Sequence, residues 1–261
     1  MFDFHLHSRV SFDADGIPEA MVEAAARKGI KAMCFTDHME FDPKGIDPRQ
    51  DYEIVDYNQA YDHLSHPDVE IYRGMEFGML PQNADILKGK LAERPYDFII
   101  GSVHYVENVD IYYDTFWTGK TMEQAEKCYF EQILACVRNH NDIDVLGHLT
   151  YLIKAGGNPT HRIVRPEDHR ELIDEILQTL ADKGKGLEVN TSAMDRYGIW
   201  LPEKDFLMRF KELGGKVVTV GSDAHNADRV GQHCMDACRM VADIFGYVCT
   251  FADRKPIFHK L

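Results

Sequence analysis

The sequence predicts an α/β fold in which seven parallel strands close, or nearly close, into a (β/α)7 barrel. Strand-like apolar runs alternate with amphipathic helix-like runs about seven times along 261 residues, with no linker between them. A chain of this length suits one large α/β domain spanning 1–261 better than two ordinary ones. Five short segments also place a histidine or carboxylate directly after an apolar run: His5-Leu6-His7, Thr36-Asp37-His38, Gly74-Met75-Glu76, Gly101-Ser102-Val103-His104 and Gly221-Ser222-Asp223-Ala224-His225. In a closed barrel such strand ends form a ring, whereas an open doubly wound sheet gathers its ligands at one switch point.

Taken in order, Phe2–His7 reads as a strand followed by the amphipathic helix Ile17–Lys28, and Lys31–Thr36 as a strand followed by a loop and the helix Tyr52–Leu64. Glu70–Met75 precedes a helix over Asn83–Ala92, Phe98–Val103 one over Met122–Asn139, and Val145–Gly147 one over Glu167–Asp182. Gly186–Val189 with Glu203–Leu213, and Lys216–Val220 with Gln232–Phe245, complete the seven units. The longest stretch without helical period is 105–121, after the fourth strand, and it carries Tyr112, Tyr113, Phe116 and Trp117. Long loops at the carboxyl ends of barrel strands usually cover or build the active site, though its aromatics can also form a local mini-core.

Composition narrows the class. With 44% AVILMFWYC and 28% charged residues, the chain can bury a sizeable core. The start of the sequence has neither a basic nor an apolar leader pattern, and no run approaches 18 apolar residues, so a cytoplasmic protein without a membrane partner is expected. Six cysteines without C-x-x-C spacing read as structural thiols. A net charge of −14 argues against a nucleic-acid partner, which needs a basic footprint, but not against a small-molecule phosphate ester. Divalent cations would reverse the local field. Neither G-x-G-x-x-G nor G-x-x-x-x-G-K-[ST] occurs, so no dinucleotide or triphosphate cradle is predicted.

The site chemistry follows from strand geometry. In His5-Leu6-His7 the two imidazoles are two residues apart and point to one face of a strand, so both can meet one ion. An isolated His-x-His is weak, because buried histidines are commonly structural. The pattern recurs, however, with His38, Glu76, His104, His148, Asp223 and His225 at successive strand ends. Burying so many ionisable groups at one face makes sense chiefly around cations. Histidine suits zinc, iron and manganese, and a carboxylate such as Glu76 can bridge two ions.

These residues carry a family resemblance. HLHSRVSFDA, FTDH, GMEFG, GSVH, GHLTY, EVNTSA and GSDAH resemble, in order and over nearly the whole chain, the motifs of the polymerase-and-histidinol-phosphatase (PHP) superfamily. The loop GSVHYVENVDIYYDTFWTGKT resembles the stand-alone histidinol-phosphate phosphatases within it. The resemblance implies a distorted, TIM-like barrel holding three divalent ions: one on His5, His7, Glu76 and Asp223, a second on Glu76, His104 and His148, a third on Asp13, His38 and His225. Asp15 lies two residues beyond Asp13 and competes for its place; the family spacing favours Asp13. It further implies a phosphomonoesterase acting on L-histidinol phosphate in histidine biosynthesis, with a hydroxide shared by the first two ions as nucleophile. A nucleotide or another small phosphate ester as substrate, and a non-catalytic metal-binding module, are the competing readings.

Other roles are assigned from residue type. Asp223 and His225 are candidates for passing a proton to the leaving alkoxide, and Glu76 for bridging. Arg196, following Asn190-Thr191-Ser192, is the first candidate for a phosphate clamp, with Lys154 and Arg162 behind it. Ser102, Asp37, Asn190 and Ser222 adjoin ligands and would orient them or reach substrate, Ser102 and Asn190 being substrate-binding candidates, or serve ordinary turn chemistry. A protonated amine and imidazole on the alcohol would be met by Glu107, Asp110 and Asp114 among Tyr105, Tyr112, Tyr113, Phe116 and Trp117.

Overall fold

A computed structural model describes residues 1–41 and 53–260. Seven strands follow one path around the molecule: β1 (Phe2–Leu6), β2 (Ala32–Phe35), β4 (Glu70–Gly78), β5 (Phe98–Ser102), β8 (Val145–Leu146), β9 (Gly186–Asn190) and β10 (Val218–Gly221). Every neighbouring pair on that path is parallel. Helices α1 (Pro18–Arg27), α2 (Ile54–Tyr61), α3 (Ala84–Glu93), α5 (Met122–Asn139), α6 (Arg170–Asp182) and α8 (Lys204–Glu212) lie between successive strands of that path in sequence, and α9 (Cys234–Phe245) follows β10. α5 packs on α6, α6 on α8 and α8 on α9, so helices cover the outside of the sheet.

The barrel seam joins the two ends of the chain. Asp223 N donates to His5 O and His7 N to Ala224 O, both at 2.8 Å, while Leu6 and Ala224 form a single parallel bridge. Beneath these bonds the buried Asp3 carboxylate accepts from Ser222 N (2.8 Å), Ser222 Oγ (2.6 Å) and Gly231 N (2.7 Å). The seam therefore fixes His5 and His7 against Asp223 before any ligand is considered. Gly221 is required there, because a Cβ would stand 2.2 Å from that of His5.

The strand predicted to end at His38 is interrupted. Ala32–Phe35 pairs with Glu70–Arg73, and the short β3 (His38–Met39) resumes on the same partner at Glu76 and Phe77. Between them, backbone bonds from Thr36 N to Leu6 O and from Glu76 N to the carbonyls of Thr36 and Asp37 persist, and side chains add to them: Leu6 N donates to Thr36 Oγ1, and Ser8 N and Ser11 Oγ donate to the Asp37 carboxylate. Tyr61 Oη also bonds Asp37. His38 is thereby placed in register with Glu76 on the adjacent strand.

Three further differences have local causes. The predicted 105–121 loop contains an antiparallel hairpin, β6 (Tyr105–Val106) and β7 (Val109–Asp110), whose two-residue turn Glu107-Asn108 has positive φ at both positions (50° and 64°). It then forms one turn of helix, α4 (Asp114–Trp117), too short to show periodicity. The predicted 167–182 helix opens as a 3-10 turn over Pro166–His169. A C-terminal hairpin, β11 (Val248–Ala252) and β12 (Lys255–His259), follows the last helix and was not anticipated. Tyr52, the predicted start of a helix, lies outside the described residues.

That hairpin plugs the end of the barrel opposite the candidate site. Phe251 packs on Phe98 (4.8 Å between centroids), Phe98 on Phe4 (5.7 Å), and Arg254 pairs with Asp144, which stands just before β8. Cys34, Cys136, Cys234, Cys238 and Cys249 are buried thiols and Cys128 is half-buried, with no disulfide among the described residues. Among the described residues no helix is long and apolar enough to cross a membrane.

Candidate metal centre

The carboxyl ends of the strands surround a cavity of about 430 Å³ whose lining includes Asp13, His38, Glu76, His104, His148, Asp223 and His225. At its floor His5 Nε2, His7 Nε2, Glu76 Oε2 and Asp223 Oδ1 converge. His5 Nε2 is 3.0 Å from His7 Nε2, 3.2 Å from Glu76 Oε2 and 3.7 Å from Asp223 Oδ1. His7 Nε2 is 3.4 Å from Glu76 Oε2 and 3.2 Å from Asp223 Oδ1. Ligands held tetrahedrally at about 2.1 Å from an ion stand roughly 3.4 Å apart, so the spacing of these four atoms fits one ion.

Proton bookkeeping leads to the same reading. His5 Nδ1 donates to Glu188 Oε1 at 2.5 Å, so its Nε2, facing three other acceptors, calls for a second proton or another cation there. Glu76 Oε2 and His38 Nδ1 are buried without a hydrogen-bond partner although they lie 2.9 Å apart, close but misaligned for an N–H···O bond. His225 Nδ1 donates to the carbonyl of Asp223 at 2.9 Å, and in that tautomer its Nε2 presents a lone pair to Asp13 Oδ2 at 3.2 Å. An acceptor aimed at an acceptor calls for a cation between them.

Glu76 extends the cluster. Its Oε1 is 2.8 Å from His148 Nε2 and 3.7 Å from His104 Nε2, and the two ring nitrogens are 3.4 Å apart. Ser102 Oγ donates to the same oxygen at 2.6 Å, fixing the carboxylate. On the open side Asp13 Oδ2 stands 3.5 Å from His38 Nε2 as well as 3.2 Å from His225 Nε2. His7, His38 and His225 form one close group of candidate donors, and His38, Glu40 and His104 another.

Fields in this cluster hold the carboxylates ionised. Burial opposes the charge on Glu76, but His5 and His38 bring its pKa well below the usual range. Burial likewise opposes Asp223, which Lys154 and His5 hold well below its ordinary value. Burial also disfavours a charged His5, yet Glu188, Glu76 and Asp223 together lift its pKa. His7 is pushed the other way by burial and by His38 and His225, keeping its ring neutral and fit to ligate. A field that draws a proton to His5 draws any cation placed beside it. Asp223 itself has φ of 56°, a left-handed conformation uncommon outside glycine and asparagine, at the strand end where its carboxylate turns toward His5 and His7.

The remaining predicted residues divide. Lys154 lines the cavity and donates to Asp223 Oδ2 (2.5 Å) and Ser192 Oγ (2.8 Å); Tyr105 lines it too. Arg196 does not reach the cavity: it is exposed on the short α7 (Met194–Tyr197) and lies over the Tyr197 ring, because the chain turns away after Ser192. Arg162 is turned outward to the buried Glu126 and to Asp168. Trp117 is buried beneath the loop, its indole N–H donating to Ile111 O at 2.9 Å. Asn190 spends its carbonyl on Ser192 N and Oγ. None of these four lines the cavity.

Two buried carboxylates were missed. Glu188 joins His5 Nδ1 to His148 N, its Oε2 accepting the latter at 2.8 Å. Glu40 is 2.6 Å from His104 Nδ1 and 3.7 Å from His38 Nδ1. The available signal was His38-Met39-Glu40, whose alternation puts Glu40 on the face of His38, and the acid within the apolar strand Gly186–Asn190.

Comparison with known proteins agrees with this geometry. The PHP domain family matches residues 3–192. The chain is 32% identical over 231 residues to a histidinol-phosphatase of Lactococcus lactis subsp. lactis, covering 87% of this chain and 85% of that protein. It is 26% identical over 260 residues to a probable histidinol-phosphatase of Clostridium acetobutylicum, covering 100% and 97% of the two chains. A crystal structure of histidinol phosphate phosphatase from Lactococcus lactis subsp. lactis, complexed with zinc, L-histidinol and phosphate, superposes with a TM-score of 0.84 at 29% identity and 98% coverage of both chains.

Proposed function

The chain belongs to the PHP domain family, and from that premise we propose that it is a metal-dependent phosphomonoesterase hydrolysing L-histidinol phosphate to L-histidinol and phosphate. The observation that carries the reading is the set of four potential ligand atoms from His5, His7, Glu76 and Asp223 held 3.0 to 3.7 Å apart, the spacing of ligands around one ion. The substrate assignment draws on the relatives named histidinol-phosphatase and on the neighbour that holds zinc, L-histidinol and phosphate.

Three divalent ions, of zinc, iron or manganese, are proposed: one on His5, His7, Glu76 and Asp223, one on Glu76, His104 and His148, and one on Asp13, His38 and His225. Such ions neutralise phosphoryl oxygens and make water a nucleophile near neutral pH. Glu188, Glu40 and Ser102 fix the tautomers and directions of the ligands. Lys154, the only lysine or arginine among the described residues lining the cavity, takes the place of Arg196 as the phosphate-binding cation. Asp223, ionised, and His225, both open to the cavity, would take a proton from the attacking water and pass it to the departing alkoxide. The proposal is of a cytoplasmic enzyme with a small-molecule partner, built as a single domain over 1–261.

The test is phosphate release by metal-quantified protein with L-histidinol phosphate, p-nitrophenyl phosphate and nucleoside monophosphates. A kcat/KM for the first that is several orders of magnitude higher is expected. Similar, slow rates with all three at full metal occupancy would overturn the substrate, and full activity from ion-free protein would overturn the metal requirement.

A further inference from the structure

Among the described residues five carboxylates line the cavity, and four of them are engaged. Asp13 faces His38 and His225, Glu40 faces His104, Glu76 faces the histidine cluster, and Asp223 holds Lys154. Asp110 is different. One of its oxygens accepts from Tyr112 N at 2.8 Å, and among the described residues no lysine, arginine or histidine pairs with it. Burial raises its pKa, and the bond from Tyr112 N and the charge of His104 offset that only in part.

The position of Asp110 is built rather than incidental. Ile111 N donates to His104 O at 3.0 Å, which joins the segment to a candidate ligand's backbone. Gly157 N donates to Tyr112 O at 2.7 Å, and a Cβ on Gly157 would stand 2.3 Å from Asp114 N, so the loop after β8 is pressed against this one. The Trp117 indole ties down Ile111 O from below. The cavity that the carboxylate lines has an aromatic wall, with Phe12, Tyr105, Tyr112, Tyr113 and Tyr151. Tyr112 and Tyr113 are 48% and 59% exposed, large apolar area left open at the mouth.

We propose that Asp110 is the specificity-determining residue for a phosphate ester whose alcohol carries an ammonium group. The half-buried carboxylate pairs with that ammonium while the tyrosines take the flat remainder of the alcohol. This rests on the reading of the cavity as a phosphomonoesterase site and adds which part of the alcohol is recognised and by which residue. Glu107, at the exposed hairpin tip, and Asp114, exposed at the start of α4, do not line the cavity and take no part.

Asp110→Asn tests it, since the amide oxygen keeps the bond from Tyr112 N while the charge is lost. Metal-loaded wild type and D110N are compared on L-histidinol phosphate and its des-amino analogue, and on O-phosphoethanolamine and ethyl phosphate. Circular dichroism and metal content establish that D110N is folded and loaded. In wild type the amine-bearing ester of each pair should be preferred about 10- to 100-fold in kcat/KM, and in D110N the ratio should fall to about one. Inhibition by L-histidinol should weaken by the same factor relative to its des-amino alcohol, a reading that needs no turnover. A wild-type ratio near one, or a ratio that survives in D110N, overturns the proposal. If wild type rejects both imidazole esters, the substrate reading has failed, and the ethanolamine pair then decides Asp110 by the same criterion.

Discussion

Replacing Glu188 by Gln should separate the two tasks that this carboxylate performs. One oxygen receives the His5 Nδ1 proton at 2.5 Å and the other the backbone N–H of His148 at 2.8 Å, both without access to water. A glutamine can accept from one of these donors but turns its NH2 toward the other. A buried donor left facing a donor costs about 1–3 kcal/mol, so the stability of the ion-free protein, measured by urea unfolding, should fall by that amount. The second effect concerns the ligand. Loss of the carboxylate removes both the lock on the His5 ring and the charge that makes its Nε2 basic, and changes of this kind lower metal affinity about 10- to 100-fold. Competition with a chromophoric chelator measures that affinity without reference to turnover. Unchanged affinity with lowered stability would refute the claim that Glu188 orients a ligand, and no change in either would refute its place in the site.

Lys154→Met should lower kcat/KM by about 10- to 100-fold and weaken inhibition by inorganic phosphate, since a charge-assisted bond is lost; unaltered phosphate inhibition would remove Lys154 from the clamp. Arg162→Ala should cost stability, about 2 kcal/mol after screening of its exposed end, because the buried Glu126 keeps only His169, whereas Arg196→Ala should alter neither stability nor kcat/KM appreciably. A large loss of kcat/KM in the Arg196 variant, with Arg162→Ala silent, would reverse these assignments. Burial pushes the pKa of Asp3 from 3.8 up to about 6, against the donors from Ser222 and Gly231. The folded state thus favours the protonated acid, and this stabilisation is complete below the ordinary pKa and lost as pH rises through about 6. Wild type minus Asp3→Asn stability, measured in urea with chelator present, should therefore fall by about 2 kcal/mol between about pH 4.5 and 7.5. A flat difference would refute the shift.

Much of the site was legible because its signals are local. His5 and His7 share a face through the two-residue period of a strand, and Glu76, His104, His148 and Asp223 each follow an apolar run, which is how a barrel rim is written in sequence. Glu188 and Glu40 were harder to see. Each lies in an apolar setting where only its partner, His5 or His104, explains why an acid is tolerated, and those partners are 183 and 64 residues away. Arg196 failed for the opposite reason. Its proximity to the Asn190-Thr191-Ser192 strand end was real, but one turn of helix carried it outward.

What the sequence determined by itself is the order of alternating elements and the chemical character of each strand end, because both depend on neighbours within a few residues. The PHP resemblance was readable for the same reason. Only the tertiary structure decided which candidate ligands stand close enough to share an ion, since that depends on the register of adjacent strands, as when the interruption at Thr36-Asp37 sets His38 beside Glu76. Only the closing seam, with Asp3 bonded to Ser222 and His5 to Asp223, brings the two ends of the chain together. And only packing decided that Lys154 faces the cavity while Arg162 turns away, because a buried Glu126 competes for a cation and nothing local to Arg162 announces it.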